Sequence, residues 1–271
     1  MSPTAGGLAY REATPDGPER GDPVLLVHGY PESSYMWRDL MPRIAAAGFR
    51  AVAPDLPGFG DSPADPPGTW DRAVAAVGRF HEAMGLGPVT LVVHDWGGLI
   101  ALRWACDNPG AVGALVIADS GFFADGKWHG LADVLRTEGQ GEELLENMTR
   151  EAFGGMLAGV IPGIGEDAVD EYWKAFTDET RRRGQLELYR SGDFSKLEPY
   201  EGRLAALGVP SLILWGSEDQ FAPVAGAHRF GRELPGARVV LIEGAGHFVF
   251  EEAPEECAAT VIDFLQAPTP G

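Results

Sequence analysis

Lysine is almost missing from this chain. Lys127, Lys174 and Lys196 are the only three among 271 residues, and 21 Lys+Arg against 40 Asp+Glu leave a formal net charge of -19. So acidic a surface repels phosphate backbones and anionic membrane faces, which sets aside nucleic-acid and membrane partners and disfavours anionic substrates. Cysteine is equally scarce. Cys106 and Cys257 stand far apart in expected helices, without metal-type spacing, and read as buried free thiols in a reducing compartment rather than a disulfide framework or a thiolate metal site. No segment approaches the roughly 20 continuous apolar residues of a membrane span. The opening 22 residues are polar and rich in Gly and Pro rather than an apolar leader, so a cytoplasmic protein is expected. Repeats and low-complexity tracts are absent as well.

What is present is ordinary for one α/β domain with an insertion: 45% hydrophobic and 23% charged residues, enough to bury a large core without staples. Apolar runs at 23–27, 49–53, 89–93 and 114–118 read as strands. Helical spacing at 34–47, through Met36, Leu40, Ile44 and Ala47, and at 70–84 and 99–108 fills the intervals. Strands alternating with helices at this spacing imply a mostly parallel sheet covered on both faces. The alternation stops at Gly121. From there to about Arg203 the pattern is helical, and strand character returns only at 210–215 and 239–242, before a last helix at 254–265. Some eighty helical residues are too many for a simple connection. The chain is therefore read as a core over 1–120 and 206–271 with a helical cap inserted over 121–205.

The chemistry concentrates where the 89–93 strand meets the following helix. Val93-His94-Asp95-Trp96-Gly97-Gly98 has the small-x-nucleophile-x-Gly character of a strand–turn–helix elbow, with an aspartate at the nucleophile position instead of serine. A carboxylate of ordinary pKa, near 4, is already ionised at neutral pH and needs no base before it attacks. Its natural target is an sp3 carbon bearing a leaving group. The ester so formed must be hydrolysed, and that step does need a base.

Among the six histidines, His247 sits in Gly246-His247-Phe248, a glycine-flanked and flexible loop after the last strand, where its side chain can swing over the sheet's carboxyl edge. His28 is read as structural, His94 as pointing away from the cavity, and His81 and His228 as solvated. His129, in the inserted helices, is the other one able to reach a ligand. The base needs a carboxylate to hold its tautomer. Asp219, close behind the 210–215 strand, suits that role; Asp119, at the end of the strand after the elbow helix, is the alternative acid. Its bland reading is a turn or a cap shared with Ser120. Two backbone N–H groups are needed where charge develops on the ester oxygen, and Trp96 and Tyr30, the latter in His28-Gly29-Tyr30-Pro31, supply them.

These residues together resemble the α/β-hydrolase superfamily over nearly the whole length, and within it the aspartate-nucleophile branch of haloalkane dehalogenases and epoxide hydrolases. The resemblance rests on residues 28–38 and 55–62, His94-Asp95-Trp96-Gly97-Gly98, Gly216-Ser217-Glu218-Asp219 and Gly246-His247-Phe248, in the superfamily's order of nucleophile, acid and histidine. It implies an Asp95–His247–Asp219 triad acting on a small apolar substrate and water, without metal or organic cofactor, in a monomer or homodimer.

In the dehalogenase branch the tryptophan after the nucleophile donates its indole N–H to the departing halide, and Trp96 matches. A second donor is expected from an asparagine in the oxyanion turn, where Tyr30 stands, or from a cap tryptophan, Trp128 or Trp173. Epoxide hydrolases use cap tyrosines instead. Tyr189 resembles one of them; the first has no counterpart early in the cap, where Trp128-His129 stand, and Tyr172 has a core-type stripe. Haloacetate dehalogenases share a cap Trp-His and a late tyrosine, but hold the substrate carboxylate with arginines where Trp96 and Leu99 stand. Dehalogenation is the favoured reading, epoxide hydrolysis the alternative. A non-catalytic binding protein that kept the hydrolase shell is the rival of another class.

Overall fold

A computed structural model describes residues 2–267. Its single sheet has eight strands: β1 (Thr4–Ala5), β2 (Leu8–Ala13), β3 (Val24–Val27), β4 (Ala51–Pro54), β5 (Val89–His94), β6 (Val112–Ala118), β7 (Ser211–Gly216) and β8 (Arg238–Ile242), in the order β1-β2-β4-β3-β5-β6-β7-β8. From β4 to β8 every neighbouring pair is parallel. Helices α1 (Leu40–Ala46), α2 (Trp70–Ala83) and α3 (Trp96–Asp107) make the crossovers of the first half; α10 (Ala225–Glu233), α11 (Val249–Glu252) and α12 (Pro254–Gln266) follow the last two strands. Every residue of β3, β4, β5 and β7 is buried. That is why these strands read as unbroken apolar runs rather than alternating ones: a parallel strand between two helical layers has no solvent face.

The sequence signal failed at the amino-terminal edge. The opening stretch, to which the sequence reading assigned no element, forms β1 and β2, joined by the two-residue turn Gly6-Gly7, both at positive φ, and β2 pairs antiparallel with β4. An edge hairpin with one side in water needs few apolar residues, so Leu8 and Ala9 alone are buried in it and periodicity has little to report. The region expected as one helix over 34–47 is a short 3-10 turn at Ser34–Trp37 followed by α1.

Between β6 and β7 lie α4 (Gly130–Arg136), α5 (Gln140–Asn147), α6 (Arg150–Val160), α7 (Glu166–Trp173), α8 (Glu179–Ser191) and α9 (Arg203–Ala206). This block is tied to the sheet domain by buried or half-buried polar contacts. The Arg181 guanidinium donates to the carbonyls of Gly58, Gly60 and Ser62 at 2.9–3.1 Å. Glu187 accepts from the Gly68 N–H at 2.6 Å, and the Trp70 N–H donates to Ser191 Oγ at 2.8 Å. Tyr172 of α7 bonds to Glu251 of α11, whose carboxylate is also held by Arg38 at 2.6 and 2.7 Å. The helical block thus rests on the carboxyl edge of the sheet, where the loops after β3, β5, β6, β7 and β8 converge.

Candidate active site

Asp95 is the single residue between β5 and α3, with φ 47° and ψ -123°. A non-glycine residue in that region carries about 1–3 kcal/mol of strain, which persists only where the surroundings impose it. The imposition is visible at Gly97: any Cβ there would run into the backbone carbonyls of Val27 and His28. The helix can start this close to β3 only because residue 97 lacks a side chain. Ser120 Oγ donates to the Asp95 carbonyl at 2.7 Å and braces the turn from the other side.

The carboxylate that results is buried and flanked by donors. Its Oδ1 accepts the Tyr30 N–H at 2.7 Å, and its Oδ2 lies 3.4 Å from His247 Nε2. Burial alone pushes a carboxyl up, but His247, His94 and the Tyr30 N–H outweigh it and bring Asp95 down to about 2. It is therefore ionised at any physiological pH. Trp96 is the first residue of α3, so its N–H lies among those that a helix start leaves without an intrahelical partner, next to the same carboxylate.

His247 Nδ1 lies 2.8 Å from Asp219 Oδ2. Asp219 Oδ1 accepts the N–H groups of Phe221 at 2.7 Å and Ala222 at 2.8 Å, so the carboxylate is fixed with one oxygen turned to the imidazole. Burial disfavours the imidazolium, yet Asp219 and Asp95 together raise the His247 pKa well above its ordinary value. The loop expected to be flexible is clamped instead. Glu252 accepts the N–H groups of Gly246 at 2.9 Å and Phe248 at 3.0 Å, on either side of the histidine, and His94 Nε2 donates to the His247 carbonyl at 2.8 Å.

Asp119 does not reach the imidazole. Its Oδ1 accepts the Gly216 N–H at 2.9 Å, its Oδ2 has no hydrogen-bond partner, and its φ is 42°. Burial raises its pKa well above the ordinary carboxyl value, against the pull of His94, His247 and the Gly216 N–H. Of the two acids read from sequence, the structure brings only Asp219 to His247. The helix-block residues divide in the same way. Trp128 stacks on Trp96 with centroids 5.4 Å apart, and Tyr189 packs edge-on to Trp96 at 5.2 Å and to Tyr30 at 5.1 Å. Burial, then the Asp95 charge, raise the Tyr189 phenol well above its ordinary pKa and keep it protonated. His129 caps α4, its Nδ1 accepting the Ala132 N–H at 3.4 Å, which leaves Nε2 to carry the proton; burial lowers its pKa. Trp173 stacks on Phe176 within the block and Tyr172 is buried on Glu251, so neither approaches Asp95. Among the described residues no cluster of His, Cys, Asp and Glu is arranged to hold a metal ion.

A family model described as the alpha/beta hydrolase fold matches residues 22–254. The chain belongs to the α/β-hydrolase family. Within that family it is 29% identical to a haloalkane dehalogenase of Psychrobacter cryohalolentis over 92% of this chain and 85% of the relative. It is 30% identical to epoxide hydrolase 3 of Siraitia grosvenorii over 90% of this chain and 92% of the relative. Among solved structures, a putative ancestral haloalkane dehalogenase superposes with a TM-score of 0.82 at 27% identity, covering 95% of this chain and 94% of that one. This α/β-hydrolase therefore stands in the branch of haloalkane dehalogenases and epoxide hydrolases. No helix among its described residues is long and apolar enough to cross a membrane.

One feature of the hydrolase site had no signal in the sequence reading. Glu32, two residues past Tyr30, lies 2.8 Å from His94 Nδ1, with both side chains wholly buried and the N–H direction poorly aligned to the carboxylate. Burial works against the His94 cation, but Glu32 raises its pKa to about 9. The pair links the turn after β3, the elbow and the carbonyl of His247. The Pro31-Glu32 sequence beside an apolar strand could have suggested it, since an unpaired carboxylate there would be costly.

Proposed function

We propose that this protein hydrolyses carbon–halogen bonds of small apolar substrates through a covalent aspartyl ester, as a haloalkane dehalogenase. The observation that carries the reading is the geometry at Asp95: a buried, ionised carboxylate 2.7 Å from one backbone N–H and 3.4 Å from a histidine that is itself held on a second carboxylate. Asp95 forms a C–O bond as the carbon–halogen bond breaks, and the halide leaves with the bonding pair. Water then attacks the ester carbonyl while His247 takes its proton, Asp219 stabilises the imidazolium, and the Tyr30 and Trp96 N–H groups receive the oxyanion. Collapse releases the alcohol and restores Asp95, so R–X and water give R–OH, a proton and X⁻.

The two steps are coupled through charge. The Asp95 carboxylate is one of the two anions that raise the His247 pKa. Esterification removes it, so the imidazole gives up its proton more readily once there is an ester to hydrolyse. In this reading residues 121–205 act as a cap, and Trp96, with Trp128 stacked on it, solvates the leaving halide.

A second reading, epoxide hydrolysis to a diol, is favoured by one observation: the protonated Tyr189 phenol stands beside Asp95, with the neutral His129 across the cavity. The phenol can give its proton to an opening oxygen, and His129 Nε2–H can donate a hydrogen bond to it. Bromide release from 1-bromohexane against diol formation from styrene oxide decides between them; turnover of neither, with no mass adduct on Asp95, removes both.

A further inference from the structure

Trp128 stands in an irregular stretch just before α4 and lines the cavity beside Asp95 and Trp96, so its place depends on what its ring touches. One of those contacts is a cation. The Arg136 guanidinium lies over the indole, 5.2 Å from the ring centroid. Arg136 is the last residue of α4, and long side chains lean towards the amino-terminal end of their helix, so this one reaches back to the residue that precedes the helix start.

The same guanidinium holds a second part of the aromatic cluster. Its Nη1 donates to the carbonyl of Tyr189 at 2.5 Å and to that of Gly192, both at the carboxyl end of α8. The last turn of a helix carries the negative end of its dipole, which favours a cation there. Tyr189 is the residue whose ring packs edge-on to Trp96, at 5.2 Å. Gly192 completes the fit. A Cβ at that position would come within 2.7 Å of the Trp96 ring and 3.1 Å of the Trp128 ring, although its φ of -69° makes no demand for glycine. Arg136 itself does not line the cavity, so whatever it does there it does through Trp128 and Tyr189.

We propose that Arg136 is a positioning residue for the leaving group, clamping the Trp128 ring and the Tyr189 backbone so that the two indoles stay stacked beside Asp95. The inference rests on the dehalogenation reading, in which Trp96 and Trp128 solvate the departing halide. Without the guanidinium the Trp128 ring samples other rotamers, and halide affinity falls by the fraction of time for which the pair is assembled. A cation–π contact to a half-buried ring shifts such a population by about tenfold. Hydrolysis of the ester is a separate matter. It runs on His247, Asp219 and the N–H groups of Tyr30 and Trp96, none of which bonds to Arg136.

The test measures three quantities in the wild-type protein, in Arg136→Met and in Gly192→Ala, which pushes the two indoles apart without backbone strain. They are the Kd of bromide by quenching of tryptophan fluorescence, and the rates of ester formation and ester hydrolysis with 1-bromohexane by rapid-quench mass spectrometry. In both variants bromide should bind about tenfold more weakly and the ester should form about tenfold more slowly, while its hydrolysis stays within twofold of wild type. A misfolded fraction would lower the amplitude of the burst and leave the rate constants of the folded remainder unchanged. If bromide affinity and ester formation stay within twofold of wild type in both variants, the role of Arg136 is overturned while the ester mechanism stands. An equal fall in ester hydrolysis also overturns it, because the defect would not then lie on the side of the leaving group. If the wild-type protein forms no ester from 1-bromohexane, the dehalogenation reading fails and the inference with it.

Discussion

Replacing Asp219 by asparagine should separate the two chemical steps. The side chain is fixed by the Phe221 and Ala222 N–H groups, at 2.7 and 2.8 Å, both donating to Oδ1. An asparagine that keeps its oxygen there must turn its NH2 to His247 Nδ1, which then has to accept, and the imidazole proton moves to Nε2. The imidazole can no longer take a proton from water. Turning the amide over would restore the imidazole's acceptor but set two backbone donors against an NH2, at about 2–3 kcal/mol for two lost bonds, so the wrong tautomer dominates by roughly thirtyfold or more. Loss of the correct tautomer in a serine-type triad lowers turnover about 10⁴-fold. Ester formation needs no base, and Asp95 keeps its Tyr30 N–H bond and the His247 Nε2–H beside it. The expected result with a turned-over substrate is a rapid burst of one equivalent of leaving group, then near-arrest, with the mass of the alkyl group added to Asp95. Burst and steady state falling in parallel would refute the reasoning, because Asp219 would then be needed for the attack itself.

Three further outcomes follow from the same geometry. Asp119→Asn should keep turnover within a few-fold of wild type, since an amide oxygen can accept the Gly216 N–H in place of Oδ1 and Asp119 makes no bond to His247; a loss equal to that of Asp219→Asn in steady-state rate would make Asp119 the working acid. Glu32→Gln leaves His94 without its counter-charge in a fully buried place, and breaking a buried pair costs about 3 kcal/mol or more. Melting should fall by at least about 6 °C, and kcat should fall more than KM rises because the His247 carbonyl loses its anchor; unchanged melting would show that the pair carries no such weight. The pH dependence has a definite sign. In the free protein Asp219 and Asp95 raise the His247 pKa, and esterification removes one of them, so the acid limb of ester hydrolysis should lie at lower pH than the His247 titration followed by NMR in the free protein. Coincident values would mean that Asp95 does not act on the imidazole.

Much of the site was legible because its residues obey local rules. Asp95 announces itself through a strand, a tight turn and Gly97; Asp219 stands just past β7, whose complete burial makes it read as an apolar run, and His247 follows the last strand. Asp119 and Asp219 could not be separated in this way. Both follow a buried strand, and what distinguishes them is which backbone donors lie opposite: Gly216 N–H for one, Phe221 and Ala222 N–H for the other. Nor did sequence show that the His247 loop is rigid, because the clamp comes from Glu252 and from His94, 153 positions away.

The sequence by itself determined the α/β alternation, the long helical interruption and an aspartate at the elbow, since each depends on neighbours within a few residues along the chain. The tertiary structure alone decided which carboxylate reaches His247 and where Trp128, His129 and Tyr189 stand around Asp95. These depend on side chains from the β3 turn, the elbow, α4 and α8 meeting over one sheet edge. Contacts between elements so far apart in the chain leave no periodic trace in any one of them.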